Sequence, residues 1–320
     1  MKAAVYYETG APEVLRYEDV PDPVVDAHGV LVEVAAISIE GGDTLNRLGG
    51  AMAATPHIVG YQAAGTVVAV GDAVTDRSVG QQVVVAVAHG SHAELVAAPA
   101  SFTWVVPDGL DLTLAACVPI AYGTADDCLF EFGRLEAGET VLVQAGAGGV
   151  GIAAIQLAKR AGATVLATAS TDDKLARLEP LGLDHGINYR THDFADEARR
   201  LTDGRGVDVV VESVGSTLAG SMRALAYRGR ISLVGDAGRD SGPVDVGSLK
   251  AGNQSITGVF LGAELLMGTR AHANIVRLLD LVAAGELQVV VDRSYPLAEA
   301  AAAHAYLEDR KAFGRVVLVP

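Results

Sequence analysis

The stretch Thr140–Lys159, TVLVQAGAGGVGIAAIQLAK, decides the fold of this chain. Its first four residues are β-branched or apolar and predict a buried parallel strand. The glycine turn Gly146-x-Gly148-x-x-Gly151 follows, and apolar residues then recur at helical spacing. A strand, a glycine turn and a helix in this order are typical of a site for the pyrophosphate of a dinucleotide. The candidate cofactor contacts on the turn are Gly146, Ala147, Gly148 and Gly149.

Each glycine of the turn has an expected role. We expect Gly146 to allow a sharp bend, Gly148 to let the pyrophosphate approach the backbone, and Gly151 to bring the helix close to the strand. The helix N-terminus would offer unpaired N–H groups and a partial positive charge to the phosphates. The alternative is a purely structural turn, since the chain contains 37 glycines. The flanking strand and helix favour the dinucleotide site.

Composition limits the class of protein. A length of 320 residues favours two domains. The formal net charge of −15 argues against nucleic acid and anionic membranes as partners. Only two cysteines, Cys117 and Cys128, are present, which excludes a disulfide framework and suits a reducing cytosol. The N-terminal residues lack an apolar signal core, and no run approaches the ~18 apolar residues of a membrane span, so we expect a cytoplasmic protein.

The pattern of elements changes along the chain. β-Branched runs punctuated by glycine and proline predict a β-rich region up to about residue 107. From about residue 112 a helical stretch, interrupted near Pro119, leads into alternating strands and helices, which predict a doubly wound parallel sheet. A further strand at 255–260 is expected to close its edge. The helices and strand expected after that are too short for a separate domain, so we expect them to return to the N-terminal region.

The residues after the second strand of this sheet indicate which cofactor it binds. That strand ends at Ser170, without the acidic residue that grips the ribose 2′-hydroxyl of NAD. Lys174 and Tyr189 are expected at the same corner, and a cation with two hydroxyls suits the 2′-phosphate of NADPH. Ser170-x-x-Asp173 also matches a capping box. The alternatives are a solvated Lys174 and a half-buried Tyr189 at a strand end.

Further motifs extend over essentially the whole chain. Besides the glycine turn they include Met1-Lys2-Ala3-Ala4, Pro56-x-x-x-Gly60-x-x-Ala63-Ala64-Gly65, Gly90-Ser91-His92-Ala93-Glu94, Asp208-Val209-Val210-x-x-Ser213-Val214-Gly215 and Gly314-Arg315-Val316-Val317. In this order they resemble the medium-chain dehydrogenase/reductase superfamily, specifically the zinc-free quinone oxidoreductase branch that includes zeta-crystallin.

The resemblance implies an α/β protein with a GroES-like β-rich catalytic domain (1–119 and 261–320) and a Rossmann nucleotide-binding domain (120–260). The nicotinamide would lie in the cleft, and NADPH would reduce a quinone or an α,β-unsaturated carbonyl compound. Homodimers joined through the edge strand at 255–260 are also implied. The family pattern makes these residues candidate cofactor contacts: Thr124, Gly148, Val150, Ser170, Lys174, Tyr189, Val214, Gly235, Phe260, Leu261 and Arg315.

The resemblance also bears on metal binding. Zinc members of the superfamily carry an early cysteine, a Gly-His-Glu triplet and a four-cysteine lobe. Here the cysteine position falls near Ser38 and the triplet is Gly60-Tyr61-Gln62, so we expect no zinc. His89-x-x-His92 can hold a metal chemically, but no third ligand is near in the sequence. Without a Lewis acid, an acceptor that is already electrophilic is favoured.

The catalytic candidates are Tyr61, Glu40 and Ser38. Tyr61 can donate a hydrogen bond to a substrate carbonyl and stabilise the developing enolate. The alternatives are that Tyr61 only fills the space of the zinc and that solvent delivers the proton. The spacing of Asp43 and Arg47 favours an i,i+4 ion pair. Because the loop lacks the family's Asn-Pro-x-Asp stretch, a sensor or structural protein that binds NADPH with little turnover is the alternative function.

Overall fold

The computed structural model describes residues 1–239 and 242–320. Numbered along the chain, its strands are β1 (Lys2–Tyr6), β2 (Arg16–Asp19), β3 (Gly29–Ser38), β4 (His57–Ile58), β5 (Gln62–Val70), β6 (Gln82–Ala86), β7 (Leu95–Pro99), β8 (Thr103–Val105), β9 (Thr140–Val143), β10 (Thr164–Ala169), β11 (His185–Asn188), β12 (Val207–Glu212), β13 (Leu225–Leu233), β14 (Ser255–Gly258), β15 (Val291–Pro296) and β16 (Arg315–Val319). Its α-helices are α1 (Gly41–Gly49), α2 (Leu112–Ala115), α3 (Pro119–Asp126), α4 (Gly149–Arg160), α5 (Asp172–Leu178), α6 (Phe194–Leu201), α7 (Leu218–Ala224), α8 (Leu261–Met267), α9 (Arg270–Ala283) and α10 (Ala300–Glu308). None of the helices in these two ranges is long and apolar enough to span a membrane.

The chain forms two compact units. The first unit comprises Met1–Ala121 and His272–Pro320, and the second comprises Tyr122–Ala271. The return to the first unit therefore comes later than the boundary at 260/261 expected from the sequence. Arg270 shows the physical reason, because its guanidinium bonds Asp127 and Glu264 at 2.7 Å each, and both carboxylates belong to the second unit.

The first unit is built on two sheets. One has the order β2-β1-β4, and the other has the order β15-β16-β3-β5-β6-β8, with β7 also paired to β3. Val30, Val32 and Val34 of β3 belong to the apolar core of this unit, as period-2 alternation requires. The C-terminal strand β16 pairs with the end of β3, where Val317 lies opposite Ser38. This pairing brings the two distant ends of the chain to one place.

The second unit contains one parallel sheet. Its order is β11-β10-β9-β12-β13-β14, and every pairing is parallel. This confirms the predicted doubly wound α/β fold. From β9 the chain winds outward through β10 and β11, and from β12 it winds the other way. The switch in direction lies between β9 and β12, and ligands of such sheets bind at that point beyond the carboxyl ends of the strands.

Two elements show what the sequence pattern could and could not predict. The helical stretch near residue 119 divides as predicted, with α2 ending at Ala115 and α3 beginning at Pro119, because proline is accepted at a first helical position. Strand β15 was not predicted. It lies at the edge of its sheet and carries exposed Arg293 and Ser294, so its sequence has no alternating apolar pattern.

Candidate active site

The glycine turn of the second unit connects β9 to α4. A Cβ on Gly151 would lie 2.4 Å from the Ala145 carbonyl oxygen and 2.7 Å from the Cα of Gly146, which confirms that close packing requires glycine there. The reason expected for Gly146 is wrong. The left-handed residue is Ala145, with φ of 51°, and a Cβ on Gly146 would lie 2.8 Å from the Cβ of Ala167. Gly146 is thus required by its neighbours rather than by the bend.

The start of α4 presents open backbone donors, whereas the N–H of Gly148 itself donates to the Ala145 carbonyl at 2.9 Å. A Cβ built on Gly148 would lie 3.3 Å from the Ala145 carbonyl oxygen and, apart from the adjacent residues, close to no other heavy atom of the described residues. Gly148 is the N-cap of α4 and supplies no side-chain cap. The first N–H groups of the helix, including those of Gly149 and Val150, therefore lack intrahelical acceptors. An anionic pyrophosphate fits this arrangement because it would meet backbone donors and the positive end of the helix dipole.

The corner after β10 and β11 contains the three residues predicted to select the 2′-phosphate. Ser170 directly follows β10, and the backbone N–H of Tyr189 donates to Ala169 at 3.2 Å, so these two ends lie side by side. Lys174 is in the first turn of α5. The predicted capping box is wrong in its first residue, because Thr171 is the N-cap and accepts from the Lys174 N–H at 3.3 Å. Thr171 rather than Ser170 therefore caps α5, and the joint role of Ser170, Lys174 and Tyr189 in binding the 2′-phosphate stays a prediction.

Three further predicted cofactor residues follow a common pattern in the second unit. Val214, Gly235 and Phe260 each come two residues after a strand end, in β12, β13 and β14 respectively. A Cβ on Gly235 would lie 2.6 Å from the Ser213 carbonyl oxygen, so the loops after β12 and β13 touch. Phe260 is exposed. The other two second-unit candidates, Thr124 in α3 and Leu261 at the start of α8, are buried.

Arg315, also predicted to contact the cofactor, has a different position. It lies in the first unit, buried, where its guanidinium donates to the Ser38 hydroxyl at 2.7 and 3.0 Å and to the Ile39 carbonyl at 2.8 Å. It also forms an ion pair with Glu40. Gln62 donates to the same Glu40 carboxylate and accepts from the Ile120 N–H at 3.0 Å. These contacts favour a supporting role for all four side chains, and a direct catalytic role for Ser38 and Glu40 stays a prediction.

Tyr61 is the catalytic candidate with a usable proton. Its hydroxyl oxygen accepts from the amide of Asn46 at 2.7 Å, which leaves the O–H free to donate. Burial, and then the nearby Asp43 carboxyl, raise the pKa of Tyr61 to about 12, so the phenol is protonated at neutral pH. A Cβ on Gly42 would lie 2.5 Å from the tyrosine ring, so glycine makes room for it. The site therefore offers one half-buried hydrogen-bond donor.

Asn46 was missed by sequence reasoning. Gly42 and Asn46 are four residues apart on α1, so they share one helix face. A glycine followed one helical turn later by an amide is too common to indicate a functional site. It points to one only once the structure shows that Tyr61 packs against this face.

The expected ion pair between Asp43 and Arg47 is wrong. One oxygen of Asp43 accepts from the Glu40 N–H at 2.8 Å, and the other has no hydrogen-bond partner among the described residues. Burial raises the pKa of this carboxyl well above its ordinary value, although the hydrogen bond from the Glu40 N–H lowers it. Arg47, which is completely buried, instead pairs with Glu308 and donates to His304.

Two buried histidines, His304 and His92, extend the hydrogen-bond network that begins at Arg47. The Arg47 Nε–H donates to Nδ1 of His304 at 3.3 Å, so His304 carries its proton on Nε2 and donates it to Nε2 of His92 at 3.1 Å. Burial lowers the pKa of His92 to about 3 and that of His304 well below its usual range. His92 of the His89-x-x-His92 motif is thus a neutral hydrogen-bond acceptor. No group of three or more His, Cys, Asp or Glu side chains within 1–239 and 242–320 is arranged to hold a metal ion.

The histidine pair predicts how stability depends on pH. A histidine that is neutral when folded but titrates near 6.5 when unfolded stabilises the fold above pH 6.5, and this contribution is lost as the pH falls. His92 alone should make the wild type lose about 2 kcal/mol more free energy of unfolding than His92→Gln between pH 7 and pH 5. Urea titrations of both proteins at the two pH values measure this difference. Parallel losses would show that His92 is already charged in the folded protein.

Comparisons with known proteins identify the family. Sequence profiles of the alcohol dehydrogenase GroES-like domain and of the zinc-binding dehydrogenase match residues 26–108 and 181–318. The 2-haloacrylate reductase of a Burkholderia species is 34% identical over 330 residues, which cover 99% of this chain and 98% of that protein.

Solved structures agree with the sequence comparison. A mycobacterial protein complexed with NADPH is 38% identical, with a TM-score of 0.95 and complete coverage of both chains. The Escherichia coli quinone oxidoreductase complexed with NADPH is 29% identical, also with a TM-score of 0.95 over the full length of both chains. The chain therefore belongs to the medium-chain dehydrogenase/reductase superfamily, a family of oxidoreductases, and to its zinc-free quinone oxidoreductase branch.

Proposed function

We propose that this protein is an NADPH-dependent reductase that transfers hydride to a quinone or an α,β-unsaturated carbonyl compound without zinc. The observation that carries the proposal is the uncapped N-terminus of α4 behind the open Gly148, which suits a pyrophosphate. Relatives that were solved as NADPH complexes support the choice of cofactor. When bound, the nicotinamide supplies the hydride.

Backbone and side-chain groups of this protein would bind and orient the cofactor and stabilise the charge that develops on the acceptor. Backbone N–H groups at Gly149 and Val150 would bind the pyrophosphate, and Ser170, Lys174 and Tyr189 would bind the 2′-phosphate. The Tyr61 hydroxyl would donate to the acceptor carbonyl, where negative charge develops as hydride adds to the conjugated carbon. Arg315 would keep Glu40 and Ser38 in place behind this donor.

The decisive test of this function is a panel of acceptors. Purified protein should oxidise NADPH in the presence of at least one short quinone, enone or 2-haloacrylate, followed by absorbance at saturating cofactor. Calorimetry should show binding of NADPH without any acceptor. Tight binding with no turnover on the whole panel would favour the second candidate function, a sensor that binds NADPH. This candidate is kept because Ser38 and Glu40 are already bonded to Arg315.

The preference for NADPH should depend on Lys174. Lys174→Ala removes a cation beside the 2′-phosphate, so the KM for NADPH should rise about 10-fold, equivalent to one charge-assisted hydrogen bond. The KM for NADH should stay within about twofold, because NADH lacks that phosphate. Steady-state kinetics with both cofactors measure the ratio. Equal effects on both cofactors would remove Lys174 from the 2′-phosphate site.

The proposed donor has its own variant. Tyr61→Phe should lower kcat about 100-fold, the size reported for loss of one donor to a developing oxyanion, while the Kd for NADPH stays unchanged. Tyr6→Phe is a matched control, because the Tyr6 hydroxyl is buried in the same unit and has no hydrogen-bond partner in 1–239 or 242–320. If kcat in Tyr61→Phe equals that of the control, Tyr61 only fills space.

We also propose a homodimer that forms through β14. This strand is the last in its sheet order, and an open edge can pair with a second copy. Phe260, Leu266 and Met267, which follow it, are 72, 73 and 87% exposed. Sedimentation equilibrium should give twice the chain mass of 32.9 kDa, and a mass of one chain at micromolar concentration would rule the dimer out.

A further inference from the structure

A chain of buried hydrogen bonds crosses the carboxyl edge of the parallel sheet at its switch point. It begins at Thr168 near the end of β10, continues through Gln144 directly after β9 and Ser221 in α7, and ends at Glu212, the last residue of β12. All four residues are at most 1% exposed. None of them was singled out by the sequence.

The donors and acceptors of this chain all run in one direction. Thr168 Oγ1 accepts from the Ala145 N–H at 3.1 Å and donates to Gln144 Oε1 at 2.7 Å. Gln144 Nε2 then donates to Ser221 Oγ at 3.1 Å, and Ser221 donates to Glu212 Oε2 at 2.5 Å. The acceptor-only carboxylate at the end therefore orients each hydroxyl and the amide before it.

Each end of the chain holds a loop that carries predicted cofactor contacts. At one end it holds Ala145, the left-handed residue directly before the glycine turn. At the other end Glu212 Oε1 accepts from the N–H groups of Val214 and Gly215 at 3.0 and 3.1 Å and from the Thr217 hydroxyl at 2.7 Å. One buried carboxylate thus ties together the loops after β9 and β12, on the two sides of the switch point.

We propose that Glu212, acting through Ser221, Gln144 and Thr168, is a positioning residue that holds the pyrophosphate loop and the Val214 loop in register for the reduced dinucleotide. This inference rests on the proposed function. Breaking one link leaves buried donors and acceptors unpaired, and such groups recover their partners by moving the backbone that carries them. A loop displaced in this way would bind the cofactor's phosphate bridge less well.

The test compares two ligands in calorimetry. NADPH needs both loops, whereas adenosine 2′-monophosphate needs only the corner of Ser170, Lys174 and Tyr189. Ser221→Ala breaks the chain in α7, where the Ser221 hydroxyl bonds the side chains of Gln144 and Glu212. It should weaken NADPH binding about 10-fold, equivalent to one lost buried hydrogen bond. The Kd for adenosine 2′-monophosphate should stay within about twofold, as expected for an unaltered corner.

Two controls separate positioning from general loss of stability. Thr140→Ala removes a buried hydroxyl at the amino end of β9, which accepts from Arg205 at 3.0 Å, and it should leave both affinities unchanged. Thr168→Val keeps the shape of the side chain but loses the hydroxyl and should weaken NADPH binding, whereas Thr168→Ser keeps the hydroxyl and should restore it. If Ser221→Ala does not fold, the comparison of Thr168→Val with Thr168→Ser tests the proposal instead.

Each outcome has a separate meaning. Wild-type protein that binds NADPH while Ser221→Ala and Thr168→Val bind it equally well would overturn this inference and leave the proposed function standing. Equal weakening of both ligands, or weakening in Thr140→Ala as well, would also overturn it, because the effect would then be a general one. A wild type that binds no NADPH would overturn the proposed function and this inference together.

Discussion

Arg315→Met should lower the free energy of unfolding by about 3–5 kcal/mol, because it leaves a buried carboxylate without its counter-charge. Glu40 has a side chain that is only 8% exposed, and Arg315 is the cation that pairs with it. Burial raises the pKa of Glu40, and Arg315 counteracts that rise. The Ser38 hydroxyl and the Ile39 carbonyl would lose their donors in the same change. Urea unfolding followed by circular dichroism measures the loss.

A double variant tests whether this loss comes from the unpaired charge. Arg315→Met with Glu40→Gln should be more stable than Arg315→Met alone, because a neutral amide costs less to bury than a carboxylate. The Kd of Arg315→Met for NADPH should stay close to that of the wild type. A large loss of NADPH affinity without loss of stability would contradict this prediction and would support the cofactor role expected from the resemblance.

The two later glycines of the turn should respond differently to the same substitution. Gly151→Ala places a methyl group 2.4 Å from the Ala145 carbonyl oxygen and 2.7 Å from the Cα of Gly146, both backbone atoms. The helix must move away from the strand, so the free energy of unfolding should fall by about 1–3 kcal/mol, and NADPH affinity should fall with it. Thermal unfolding and calorimetry measure the two effects.

Gly148→Ala is the matched variant. Its methyl group would lie 3.3 Å from the Ala145 carbonyl oxygen, a tight contact rather than a clash, and its backbone angles of −84° and 172° suit any residue. Stability should therefore change little, whereas NADPH affinity should fall about 10- to 100-fold, since the phosphate loses its close approach to the backbone. If Gly148→Ala binds NADPH normally, the pyrophosphate does not pass over this residue.

The fold of the second unit could largely be predicted from the sequence, because the patterns that specify it lie within short segments. A β-branched strand, a glycine turn and an apolar helix lie within the consecutive residues Thr140–Lys159. The repeated alternation of strand and helix then predicts a parallel sheet. Even here the reason for Gly146 was missed, because its constraint comes from Ala167 on the neighbouring strand.

The contacts within the first unit and the buried networks were decided by tertiary structure. Arg315 and Glu40 are 275 residues apart. The sequence made each of them a site candidate but did not predict that they pair. Pairing of β16 with the end of β3 brings them together, and a long-range pairing of that kind leaves no periodic trace in either segment.

The chain from Thr168 to Glu212 shows the same division. Its members come from three strand ends and one helix, and each is an ordinary polar residue in its own segment. The sequence by itself determined the fold class, the glycine turn and the corner without an acidic residue, because neighbours along the chain specify them. The three-dimensional structure decided which polar side chains support the site, because burial makes each donor depend on an acceptor supplied by a distant segment.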